Sequence, residues 1–99
     1  MLHIVNKSPA QTRTLDSCLR LARPGDTLLL IEDAVYAATH GTAGGALVAE
    51  ALKSLKVCAL QPDLDARGMT GRLIDGVTSV DYAGFVDLVV ENPNNQSWL

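Results

Sequence analysis

The run TLLLI at residues 27–31 does not alternate. A strand with one wet face reads apolar, polar, apolar. Four consecutive large aliphatic side chains in an extended segment need cover on both faces, the condition of an inner strand in a parallel sheet. Similar short apolar runs recur along the chain. LHIV at 2–5 reads as a first strand before the loop NKSP, where Pro9 breaks regular structure. KVCALQ at 56–61 reads as a third strand and VTSV at 77–80 as a brief fourth.

The segments between these runs read as helices. Thr12 or Thr14 can cap a helix that continues to about Ala22, closed by the Pro-Gly turn of RPGD at 23–26. Within it Leu15, Cys18, Leu19 and Ala22 fall at i, i+3, i+4 and i+7, a stripe that faces a core. After the second strand, EDAVYAATHGTAGG predicts a short helical turn and a glycine-rich loop. ALVAEALKSL at 46–55 is amphipathic, with Leu47, Ala51 and Leu55 on one side joined by Val48 and Leu52. Pro62 suits the first turn of a short helix that Gly68 can end. Asp81 can cap a helix through YAGFVDLVVEN, which Pro93 prevents from continuing. The tail NPNNQSWL reads as loosely structured.

Strand and helix alternating four times predict a parallel sheet with helices on both faces. In such sheets function gathers at the carboxyl ends of the strands, so the loops NKSP, IEDAVY and LQPDLDARG are expected to share one rim.

At 99 residues the chain is expected to form one domain, 1–99. It is 47% hydrophobic and 19% charged, against a usual charged share of about 25%. A chain this small leaves roughly a third of its surface wet, so part of the apolar surface is expected to be covered by other subunits. A net charge of −3 and the lack of any basic run argue against direct nucleic-acid binding. The longest strongly apolar run, LLLI, is far too short to span a membrane. MLHIVNKSPAQTR lacks the basic start and the apolar length of a secretory signal, and the expected location is the cytoplasm.

Each candidate residue carries a structural reading beside a chemical one. HGTAGG at 40–45 precedes a helix, where backbone amides can cradle phosphate in a flavodoxin-like small-ligand binder. It matches neither GxxxxGK[ST] nor GxGxxG, and reads as a loop. Glu32 and Asp33 end a buried strand, where carboxylates can serve as bases or metal ligands; the structural reading has Asp33 capping the next helix and Glu32 in solvent. His3 and His40 have no obvious partner in the sequence and read as structural or solvent-exposed. Two cysteines and two histidines at these spacings form no zinc pattern, and no metal is expected. Cys58, between Val57 and Ala59, reads as a small core hydrophobe. Cys18 lies in the second turn of its helix, where the dipole and Arg20 favour a thiolate while Asp16 and the apolar stripe oppose it. From physics alone it reads as structural.

MLHIVNKSP, GDTLLLIEDAVYAA, VCALQPDLDARG, VDYAGFVDLVVENP and a terminal SWL, in that order and spacing, resemble the DsrH/TusB family across nearly the whole chain. The resemblance implies a DsrE/F-like three-layer α/β sandwich with a mostly parallel sheet flanked by helices. It implies membership in a hetero-hexamer with DsrE/TusD-like and DsrF/TusC-like subunits, serving a DsrC/TusE-like sulfur carrier. Such complexes pass persulfide sulfur between proteins, in sulfur oxidation or in 2-thiolation of the tRNA wobble uridine. No cofactor is implied, and the principal active cysteine belongs to the DsrE/TusD-like partner.

Members on the DsrH side of the family carry a cysteine in the first helix, within a pattern similar to TLDSCLRLA. This makes Cys18 the candidate persulfide carrier, on condition that a partner's cysteine can reach it. The alternative is a subunit that shapes the complex and performs no chemistry, with Trp98 and Leu99 either as interface features or packed onto their own domain.

Overall fold

In the computed structural model, which describes residues 1–42 and 44–98, Thr27–Leu30 forms strand β2 and all four of its side chains are buried. It sits at the centre of a five-stranded sheet of order β4-β3-β2-β1-β5, with β1 Leu2–Val5, β3 Lys56–Leu60, β4 Thr78–Val80 and β5 Asn95–Trp98. Every pairing in it is parallel. The helices are α1 Thr14–Leu21, α2 Gly45–Ala51, α3 Gln61–Ala66 and α4 Tyr82–Glu91, and a 3₁₀ segment spans Glu32–Ala38.

The strand order explains how the helices are shared between the faces. From β1 to β4 the chain steps outward in one direction, and right-handed crossovers place the intervening helices on one face. From β4 it returns to the opposite edge to form β5, so a crossover of the same hand must pass over the other face. The core follows this division. Leu15 and Cys18 of α1, Ala34 and Val35 of the 3₁₀ segment, Val48 of α2 and Leu64 of α3 pack with Val5, Leu28, Leu30 and Val57. On the other face, among the described residues, only α4 contributes, with Leu88, Phe85 and Val89 against Leu2, Leu29 and Cys58.

Local signals set most boundaries. The Asp81 carboxylate accepts the Gly84 N–H at 2.8 Å and caps α4. Pro62 lies in the first turn of α3, and Gly68 follows its end with φ +67°. The stripe of α1 faces inward as its spacing predicts, with Leu15 and Cys18 buried and Leu19 and Ala22 half-buried.

Four expectations are corrected. The tail is not loose: Asn95–Trp98 pairs in parallel with β1. An edge strand has no two-sided burial to write into its sequence, so NQSW carries no apolar run. The expected turn after β2 is a full seven-residue 3₁₀ segment. The helix over 46–55 ends at Ala51, although Leu55 is still buried beyond it. Asp33 is not a cap; the residue before the 3₁₀ segment is Ile31, whose own side chain makes no cap hydrogen bond.

The glycine-rich loop is a packed turn in its described part. Thr42 Oγ1 donates to the carbonyl oxygens of Tyr36 and, at 3.0 Å, Thr39. Gly44 has φ +92°, and any Cβ there would collide with Pro9. Ala43 in that loop and Leu99 in the tail lie outside the described residues.

Candidate functional site

The carboxyl ends of β1, β2 and β3 bring the three expected loops to one rim. Asn6 Nδ2 donates to Glu32 Oε2 at 3.3 Å, and the Glu32 N–H donates to Asp63 Oδ2 at 2.6 Å. Arg67 Nε donates to Asp33 Oδ1 at 3.0 Å, and its guanidinium lies 3.8 Å from the Asp63 carboxylate. Glu32 is exposed, as expected, and is the one described non-glycine residue with positive φ, +50°. That left-handed turn aims its N–H at Asp63, so the cost of the conformation is offset by a charge-assisted hydrogen bond. The rim carboxylates are thereby tied into hydrogen bonds and ion pairs that join β1, β2 and α3. Among the described residues no cluster of three His, Cys, Asp or Glu can hold a metal ion.

A cleft opens beside this rim where the chain changes face. β3 leads into α3 on one side and β4 into α4 on the other, which makes the β3/β4 boundary the topological switch point, the customary ligand crevice of open α/β sheets. Gln61, Ser79, Val80, Asp81 and Gly84 line about 410 Å³ there. One Asp81 oxygen is committed to the α4 cap, and Gln61 Nε2 donates to Asp65 Oδ1 at 2.7 Å. An amide, a hydroxyl and a capping carboxylate can position a visiting group. None of them is a thiol or an imidazole, so this lining has no group suited to attack on sulfur at neutral pH.

Both cysteine thiols are elsewhere. Cys18 is fully buried on the inner face of α1. Burial, with the Asp26 charge as a second cause, pushes its thiol up to about 12, so essentially none is thiolate at neutral pH. Cys58 is equally buried, on the α4 face, and burial raises its thiol as well. In this conformation neither sulfur meets the condition of reach.

The opposite, amino-terminal edge carries a cluster that no local pattern signals. His3 is 3% exposed. Its Nδ1 accepts the Trp98 indole N–H at 3.2 Å while Nε2 lies 2.9 Å from Asp26 Oδ2. With Nδ1 accepting, the ring proton sits on Nε2 and is donated to Asp26. The Arg23 N–H and the amino group of Met1 also donate to Asp26, at 2.9 and 3.1 Å. Led by the Arg23 N–H and then His3, these donors hold its carboxyl well below the usual range. The cluster ties β1, the start of β2 and β5 together. His40, in contrast, is exposed.

A family model described as DsrH like protein matches residues 7–95. The chain belongs to the DsrH family. It is 41% identical to Protein TusB of Escherichia coli O81 over 99% of this chain and all of that protein. Protein TusB of Pectobacterium parmentieri is 40% identical, with the same coverage. Among solved structures, the ychN protein from E. coli superposes with a TM-score of 0.81 at 25% identity, covering 97% of each chain. Protein MTH1491 from Methanobacterium thermoautotrophicum gives 0.75 at 21% identity, over 97% of this chain and 95% of that one. The α/β architecture of this DsrH-family chain, a parallel sheet flanked by helices, is thus shared with solved proteins of low sequence identity. The expected rim is where the sequence reading placed it. The switch-point cleft and the His3–Asp26–Trp98 cluster were not read from sequence: the first depends on strand order, the second joins residues 23 and 95 positions apart.

Proposed function

We propose that this DsrH-family chain is a non-catalytic interaction subunit of a cytoplasmic sulfur-relay complex. Its partners in this reading are DsrE/TusD-like and DsrF/TusC-like subunits in a hetero-hexamer, with a DsrC/TusE-like protein as sulfur acceptor. A thiolate attacks the outer sulfur of a donor persulfide, the donor's S–S bond breaks, and the donor leaves as a thiolate while the acceptor holds the new persulfide. The attacking thiolate belongs to a partner. The observation that carries this reading is the switch-point cleft: the customary crevice of the fold lacks a thiol, and both cysteines are buried in apolar cores.

The test reconstitutes the complex, loads it from a persulfide donor, and follows the intact mass of every subunit and of the acceptor. The expected result is sulfur gained by a partner, with the Cys18→Ala complex transferring at the wild-type rate. Failure of the chain to assemble with either subunit type contradicts complex membership itself.

The second reading makes Cys18 a secondary persulfide carrier. It is favoured by the amino end of α1, where Arg13 makes no side-chain cap hydrogen bond and the Thr12 hydroxyl accepts the Thr14 N–H at a long 3.3 Å. Lifting α1 in the complex would bring the thiol to solvent and lower its pKa. This reading predicts one added sulfur on Cys18 and a loss of transfer in Cys18→Ala with assembly intact.

A further inference from the structure

Helix α4 is apolar on more sides than it can bury. Leu88 is buried and Phe85 and Val89 are half-buried against the sheet. Tyr82, Val86 and Val90, at i, i+4 and i+8, form a stripe in solvent, 63%, 59% and 75% exposed. Only Met1 and Leu21 join them among the exposed large hydrophobic residues described. A stripe of this spacing on a surface helix is the footprint of a partner element.

Charge identifies the kind of partner. Asp87 and Glu91 follow the stripe around the helix and are both exposed, and the sequence from 73 to 99 contains four acids and no lysine or arginine. Glu91 stands at the carboxyl end of α4, where the helix dipole is itself negative and the last turn holds no basic residue. A second copy of this chain laid on the same stripe would bring these acids against their own kind. A different chain with Lys or Arg beside an apolar ridge would cover the stripe and neutralise its border.

We propose that Tyr82, Val86 and Val90 dock such a basic-bordered apolar surface of another subunit. This deepens the complex membership proposed above and rests on it. Tyr82 supplies the aromatic anchor, Val86 and Val90 the ridge, and Asp87 and Glu91 the orienting charges. Half-buried Ile4, Ile31 and Val80 pack against the core cluster of Leu2, Leu29, Cys58 and Leu88 on the same face of the sheet.

The test measures affinity of the full chain for co-purified DsrE/TusD-like and DsrF/TusC-like subunits by light scattering and titration. Thermal unfolding of each variant reports the fold. Val86→Lys and Val90→Lys are expected to fold normally and to weaken assembly at least about 30-fold each. Asp87→Lys with Glu91→Lys is expected to weaken it about 10-fold and to reduce its salt dependence. Leu21→Lys, equally exposed but on α1, is expected to assemble as wild type. Wild-type affinity in both folded valine variants overturns the docking face while leaving complex membership intact. A mass of two copies for the isolated chain that Val86→Lys halves overturns the choice of occupant. If the wild type itself binds neither subunit, complex membership fails and the docking proposal falls with it.

Discussion

On one face of the sheet α1, the 3₁₀ segment, α2 and α3 press Val5, Leu28, Leu30 and Val57 out of water; on the other, α4 is the one described helix over Leu2, Leu29 and Cys58. The difference has a geometric cause. Four steps between strands make the sheet about 19 Å wide, and a ten-residue helix is about 15 Å long. One such helix, crossing from the β4 edge to the β5 edge, leaves margins. The crowded face is finished within the chain and encloses Cys18. The sparse face ends in an apolar stripe that the described residues leave exposed.

The contrast is sharpest in the core. Leu28→Ala, on the crowded face of the central strand, is expected to cost about 4 kcal/mol, near the upper end for buried leucine, because four elements hold the cavity open. Leu88→Ala is expected to cost about 2 kcal/mol, since α4 can settle onto the sheet. Denaturant midpoints at constant m-value check both, and equal losses would break the contrast.

Cys18→Ser probes the crowded face more gently. A hydroxyl in that apolar setting without a partner is expected to cost about 1–3 kcal/mol. A pH titration adds a signature. The Cys18 thiol is raised in the folded chain, so its contribution is fully present below the unfolded thiol value of about 8.5 and is lost as pH rises toward about 12. Cys18→Ala should therefore show a shallower alkaline fall in stability than wild type. An identical slope would mean that the sulfur is already solvated.

Asp26 gives the opposite sign. Its carboxyl is depressed in the folded chain, so its contribution is present above about pH 4 and is lost as pH falls further. Asp26→Asn keeps the shape but not the charge-assisted hydrogen bonds, at an expected cost of about 1–2 kcal/mol, and acid unfolding should become less steep. At the small end, Val86→Lys on the sparse face should shift stability by less than about 0.5 kcal/mol. A larger loss would make that residue part of the core.

The two faces also differ in how far the sequence announced them. TLLLI declared its two-sided burial because consecutive leucines place aliphatic side chains on both faces of the strand. The α1 stripe, the Pro62 start and the Asp81 cap were equally legible, since each is decided within a few residues. What escaped depends on residues distant in the chain. β5 becomes a strand because β1 offers an open edge, and Asp33 meets Arg67 rather than its own helix because α3 lies alongside. The burial of Cys18 was written in its spacing. Its separation from the switch-point cleft was not, because strand order decides where that cleft falls.

Hydrogen–deuterium exchange of the free chain against the assembled complex tests the contrast most directly. Slower exchange in residues 82–91 on assembly, with 14–21 as in the free chain, is the expected result. Protection gained at 14–21 with 82–91 unchanged would contradict it.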